Sequence, residues 1–186
     1  SQLWQFDPFK NDDIALRGVL VHECFREVQT VADLSSADAR ARLVAAAARR
    51  ASVEKGEPVG ARLMEEAAAL LERVATGPVG RELRGGGAIH VRTELPFVHE
   101  TADGLVHGRI DRLELDMRDG KVVGATIIDF KTGAKDSKPA DLDKKKQGYL
   151  EQLDGYAIAV SAMFGIEQGS IRRKLLFVDR DEVVEA

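Results

Sequence analysis

The feature that most constrains this chain is the run Val122–Ile128, which is apolar or small on both alternations and closes in Asp129-Phe130-Lys131-Thr132-Gly133. A strand of that kind must be covered on both faces, so it belongs in the centre of a layered α/β fold. Side chains alternate along a strand, which puts Asp129 and Lys131 on one face and points Phe130 the other way, into a core. Charges at the end of a buried strand are costly without a partner or a task. Taken alone, the pair fits a strand-end salt bridge as well as a site. Thr132-Gly133 then turns the chain away.

With 186 residues, the chain has room for one domain, or one domain with a helical appendage. The net charge of −4 argues against a generally basic nucleic-acid coat but leaves room for a local basic groove. The single cysteine, Cys24, excludes an internal disulfide, an iron–sulfur cluster and a Cys-based zinc site. A reducing, cytoplasmic compartment is expected, with no membrane partner, because no apolar run approaches a membrane span. The ends, Ser-Gln-Leu-Trp-Gln-Phe and Val-Val-Glu-Ala, read as cut points, so a fragment of a longer protein is expected.

Residues 1–12 read as an irregular lead-in with Trp4, Phe6 and Phe9 as anchors, and Asn11 or Asp12 can cap the next helix. Ile14, Gly18, Val21, Phe25 and Val28 form a helical stripe over 13–30. Gly18 and His22 lie one turn apart, and a mid-helix glycine suggests a close approach. By itself His22 fits a boundary histidine as readily as a ligand. Helices follow over 35–55, where Arg40, Arg42, Arg49 and Arg50 read as a solvated face, and over 62–75. Arg84-Gly85-Gly86-Gly87 reads as a hinge, since no phosphate-loop spacing surrounds it.

From Ala88 the periodicity changes to that of strands: Ile89–Glu100, Leu105–Asp116 and Lys121–Lys131, joined by Ala102-Asp103-Gly104 and Asp119-Gly120 turns. A lysine-rich loop is expected at Lys135, Lys138 and Lys144 to Lys146. It is followed by a helix over Gln147–Phe164, whose buried face includes Tyr149, Leu153, Tyr156, Ala157, Val160 and Phe164, and by a last strand over Ile171–Val178. The expected fold is α/β, an αβββαβ core over 61–180 with a mixed central sheet, preceded by a helical part over 1–60 that carries His22.

Asp111, in Gly108-Arg109-Ile110-Asp111-Arg112, lies on the strand that pairs with the one ending in Asp129. Two nearby carboxylates repel, and a divalent cation reverses that penalty. For Asp111 and Asp129 to share a face, paired residue numbers must sum to an even value, whereas a tight Asp119-Gly120 turn pairs Arg118 with Lys121, an odd sum. A β-bulge or an odd-length loop is therefore predicted in this hairpin.

These residues resemble the PD-(D/E)XK nuclease signature in an αβββαβ, restriction-endonuclease-like core, and in detail the RecB/AddA-type exonuclease branch. Gly18 and His22 match its Gly-x-x-x-His helix, Gly108 to Arg112 its Gly-x-(Ile/Val)-Asp-Arg segment, Asp129 to Gly133 its Asp-x-Lys-Thr-Gly segment, and Gln152 and Tyr156 its Gln-x-x-x-Tyr helix. The resemblance implies a single nuclease domain over 1–186, C-terminal in a bacterial helicase–nuclease that resects DNA breaks for recombination and repair. It implies His22, Asp111, Asp129 and the Phe130 carbonyl as ligands of Mg²⁺, with Mn²⁺ able to substitute. Lys131 would orient the attacking water, Gln152 would contact DNA or a water of the metal, and Tyr156 would brace the site. Tyr156 also belongs to its helix's buried stripe. Glu94 is expected as a supporting acid or a ligand to a second metal, or equally as a solvent-facing strand residue.

Arg109 and Arg112 could pair with acids or meet phosphates, and His90, His99 and His107 receive no role. Implied partners are DNA, the helicase motor of the same chain and a second helicase–nuclease subunit. Two rivals stand beside this reading. A non-catalytic scaffold would have lost one of Asp111, Asp129 and Lys131, and all are present. A stand-alone endonuclease would need a sequence-reading segment, and none is evident.

Overall fold

The computed structural model describes residues 12–102, 104–134 and 137–186, with the surroundings of side chains described from residue 15 onward. The expected anchors Trp4, Phe6 and Phe9, the capping Asn11, the turn residue Asp103 and Lys135 lie outside the described residues. The elements are α1 (Asp12–Phe25), α2 (Ala37–Lys55), α3 (Ala61–Thr76), the short α4 (Pro78–Arg81), β1 (Ile89–Thr101), β2 (Gly104–Arg118), β3 (Lys121–Lys131), α5 (Pro139–Phe164), β4 (Ile171–Phe177) and β5 (Glu182–Glu185). The five strands form one sheet in the order β1-β2-β3-β4-β5. Among the described residues only the β3–β4 pair is parallel, because α5 crosses over between them.

Strand β3 is central, and its residues from Gly124 to Phe130 are all buried. One face of the sheet packs on α1, α2 and α3 through Ile128, Phe130 and Leu176; the other packs on α5 through Leu113, Ile127 and Leu175. Phe130 points into the first layer, as its place in the alternation requires, and stacks on Phe25 of α1 at 4.3 Å between ring centroids. Among the described residues no helix is long and apolar enough to cross a membrane.

The β2–β3 hairpin contains the predicted irregularity. Asp119 and Gly120 both have positive φ (51° and 75°), as a tight Asp-Gly turn demands. Arg118 pairs with Lys121 and Met117 with Val122, but Asp116 pairs with Gly124, so Val123 is an extra residue. Beyond this bulge the register runs on an even sum to Arg112 opposite Ile128. Continued one step, it sets Asp111 opposite Asp129.

Two expectations need correction. The helix read over Gln147–Phe164 begins eight residues earlier, so Lys144, Lys145 and Lys146 sit on α5 rather than in a loop. Pro139 supplies the first helical position, Asp141 suits the positive end of the helix, and buried Leu142 anchors its first turn. The helix read over 13–30 stops at Phe25, and Val28 is buried in the loop beyond it. The Arg84-Gly85 segment is closely packed: a Cβ on Gly85 would lie 2.4 Å from the Gln29 carbonyl oxygen.

Candidate active site

Strands β2 and β3 pair as far as Arg112 and Ile128, then part. Four of the sequence-predicted residues meet in that gap. His22 of α1 places Nδ1 3.5 Å from Asp111 Oδ2, and Lys131 places Nζ 2.6 Å from Asp129 Oδ2. Gly18 of α1 faces the Thr132 hydroxyl, where a Cβ would sit at 3.4 Å, an ordinary contact, so the approach of α1 does not itself require a glycine. Asp111 Oδ2 also accepts a hydrogen bond from the Phe130 N–H at 2.9 Å. In a strand the N–H and C=O of one residue point to the same side, so the Phe130 carbonyl is directed at the same gap. The next carbonyl, of Lys131, points away and accepts from the Val178 N–H.

The electrostatics are those of charges held in poor solvent. Burial raises the Asp129 pKa, and the neighbouring Asp111 charge adds to it, to about 6 in spite of Lys131. Burial would also raise Asp111, but His22, the Phe130 N–H and Lys131 outweigh it and hold that carboxyl below its ordinary value. Burial would lower His22 and Lys131, and the two carboxylates outweigh it, so both bases are held above their ordinary values. Lys131 is thus a fixed cation. Asp129 Oδ2 is buried and is met by the Lys131 ammonium.

Glu94 is drawn into the same place. One ligand atom from each of His22, Glu94 and Asp111 lies within 4.8 Å of the others. The reason is a backbone departure: Glu94 has φ 51°, a left-handed conformation costly for a residue with a side chain. Residues two apart on a strand ordinarily share a face. Here the Thr93 hydroxyl donates to the Arg26 carbonyl on the α1 side, while Leu95 packs with the α5-side cluster. Their partners on β2 switch as well, Arg112 reaching Val28 O and Ile110 packing with the α5 side. Glu94 and Asp111 sit at the crossover.

Gln152 Nε2 donates to the Tyr156 hydroxyl at 2.6 Å. Tyr156 is buried, edge-on to Phe97 at 5.1 Å, and it lies in the field of Asp129 and Asp111; burial first, and then those charges, raise its pKa. Gly108 makes room for that pair, since a Cβ there would lie 2.4 Å from the Phe97 ring.

Sequence reasoning missed one residue, and of the two roles it left open for Arg112 the structure shows the pairing with an acid. Tyr149, read only as part of a buried stripe, lies under Lys131, with Nζ 4.2 Å from the ring centroid. Its seven-residue spacing from Tyr156, two turns along one helix face, was the available signal. Arg112 meets no open site: it is fully buried, bonded to Glu114 Oε1 at 2.8 Å and to the carbonyls of Val28, Gln29 and Arg84. Arg50 likewise pairs with Glu23 and Glu27, and Arg40 with the Leu34 carbonyl, so these two arginines are used internally.

A five-stranded mixed sheet between helical layers, with acids gathered where β2 and β3 part beside a half-buried lysine, is a restriction-endonuclease-like fold. Residues 5–185 match the PD-(D/E)XK nuclease superfamily, and the chain belongs to that superfamily. No curated protein matched the chain. The superfamily is one of nucleases, hydrolases that work with divalent metal ions, and membership gives the chain that general class. The donor set of His22, Glu94 and Asp111 fits such an ion, one imidazole and two carboxylates close together; Asp129, paired with Lys131, is not part of that group of three.

Proposed function

We propose that this chain is the exonuclease domain of a RecB/AddA-like helicase–nuclease, hydrolysing phosphodiester bonds of DNA strands fed to it by an attached motor during break repair. The observation that carries the reading is the meeting of four separate sequence segments at one gap. His22 of the Gly18–His22 helix, Asp111 of the Gly108–Arg112 segment and Asp129 and Lys131 of the Asp129–Gly133 segment come together there, and the Gln152–Tyr156 pair from α5 lies close enough for Tyr156 to feel its charges.

His22, Asp111, Asp129 and the Phe130 carbonyl would hold Mg²⁺, or Mn²⁺ in its place, with Glu94 alongside. The ion supplies Lewis acidity toward the phosphoryl oxygens and lowers the pKa of water. Lys131, fixed by Asp129 and the Tyr149 ring, orients the attacking water and offsets charge growing on the phosphate. Its raised pKa suits it to an electrostatic role and not to that of a base. Gln152 holds the Tyr156 hydroxyl and leaves its own amide oxygen for a water or DNA. The bulge at Val123 serves all of this by setting Asp111 opposite Asp129.

Comparing linear and covalently closed circular DNA of one sequence, with Mg²⁺, tests the exonuclease reading. Degradation of the linear form from its ends, with the circle intact, is expected. Nicking of the circle at a comparable rate would point to an endonuclease.

A further inference from the structure

The β1–β2 ribbon runs on past the site. Beyond Asp111 the pairing of β2 with β3 has ended, yet β1 and β2 stay paired out to Thr101 opposite Gly104. Facing residues of an antiparallel pair share a side. One side of this ribbon carries Phe97, Gly108 and Ile110 and packs on α5 beside Tyr156. The other carries Pro96 and Val98 on β1 and Leu105, His107 and Arg109 on β2. It starts inside the candidate site, where Arg109 Nε lies 2.9 Å from Glu94 Oε2, and it runs outward uncovered. Val98 is 60% exposed and Leu105 63%.

We propose that this side of the ribbon is a rail for single-stranded DNA. Arg109 takes the backbone phosphate next to the site, and Val98, Leu105 and His107 receive unpaired bases. The inference rests on the nuclease reading and names its substrate form. A duplex presents phosphates and sugars at its rim and has no counterpart for an exposed valine and leucine. An unpaired strand offers bare base faces, which settle on apolar and imidazole surfaces. The surface is also too poor in cations to be a phosphate track alone. Arg109 stands at the end nearest the site, and Glu100, paired with Leu105 at the far end, repels a backbone there. Continuity with the cleavage site sets the occupant: the strand being cut must leave the gap between β2 and β3, and this face borders it.

The test is fluorescence anisotropy of labelled oligothymidylate and of a hairpin duplex of equal length, in Ca²⁺, with cleavage followed separately in Mg²⁺. The double variant Val98→Ser, Leu105→Ser is expected to bind oligothymidylate about fivefold more weakly or worse, with duplex binding unchanged. Arg109→Ala is expected to lower the salt dependence of binding by roughly one phosphate contact. All three side chains are exposed, and circular dichroism checks that the variants are folded. A double variant that binds oligothymidylate like the parent overturns the rail and leaves the face to a protein partner, and equal losses on both DNAs overturn the single-strand assignment. If the parent neither binds nor cuts DNA, the nuclease reading falls with the rail. If the parent cuts and the variants match it, the rail alone falls.

Discussion

The Phe130 N–H donates to Asp111 Oδ2 at 2.9 Å, joining the two strands where backbone pairing between β2 and β3 has stopped. The bond replaces a ladder hydrogen bond with a side-chain one and fixes the Asp111 carboxylate in the gap. Asp111→Asn keeps an acceptor for that N–H, so it should melt within about 1 kcal/mol of the parent while losing most divalent-cation binding. Asp111→Ala orphans a buried N–H and should cost a further ~1–3 kcal/mol. Thermal melts with and without Mn²⁺ separate the two effects. Equal melting of both variants would show that the bond carries no stability.

The bulge makes a second case. Val123 is the extra residue and is exposed at 43%, so Val123→Ser should change stability by no more than about 0.5 kcal/mol. Deleting Val123 removes the odd residue that sets Asp111 and Asp129 on one face, and forces one strand's core residues to change sides. Loss of the cooperative melting transition, or of Mn²⁺ binding, is expected from the deletion. A deletion that still binds Mn²⁺ like the parent would show that the register is not what unites the acids.

The buried carboxylate sets a pH dependence. The Asp129 pKa is about 6 in the folded chain, above its ordinary 3.8. The folded state therefore holds an extra proton between those values, and this group's contribution to stability falls as pH rises through that window. At pH 8 in EDTA, Asp129→Asn should raise the melting point by the equivalent of ~1–2 kcal/mol, while abolishing the rise that Mn²⁺ gives the parent. His22, raised above 6.5, must also shed a proton to bind an ion. Mn²⁺ affinity by calorimetry should thus be at least about tenfold weaker at pH 5.5 than at pH 7.5. A flat profile would contradict this assignment of ligands.

Arg112 is a structural clamp. Its guanidinium ties β2 to the loop after α1 and to Arg84, and its loss would leave three carbonyls short of a donor and weaken the pairing of buried Glu114. Arg112→Met should destabilise by ~3–5 kcal/mol, read by urea unfolding. A loss under about 1 kcal/mol would mean that Arg84, which also bonds Glu114, suffices.

Much of this was legible because it follows from parity. The double alternation of Val122–Ile128 gave a central strand, and the odd sum at Asp119-Gly120 gave a bulge. Other features depend on tertiary partners that leave no period. The first two turns of α5 were hidden because lysines surround the single buried anchor Leu142. Strand β5 is a four-residue edge with no buried residue, too short for alternation to register. The position of Glu94 hangs on one left-handed residue, which a strand pattern does not announce. Arg112 could not be told from Arg109 by sequence, although one is fully buried and the other lies in solvent.

The measurement that bears most directly on the central claim is hydrolysis of end-labelled linear DNA by the parent chain and by Asp129→Ala and Lys131→Ala, in Mg²⁺, Mn²⁺ or EDTA. Cleavage that needs the metal and falls by about 10²-fold or more in both variants is the predicted result. Cleavage that persists in EDTA, or that either variant retains at the parent's rate, would contradict a metal-dependent site built on Asp129 and Lys131.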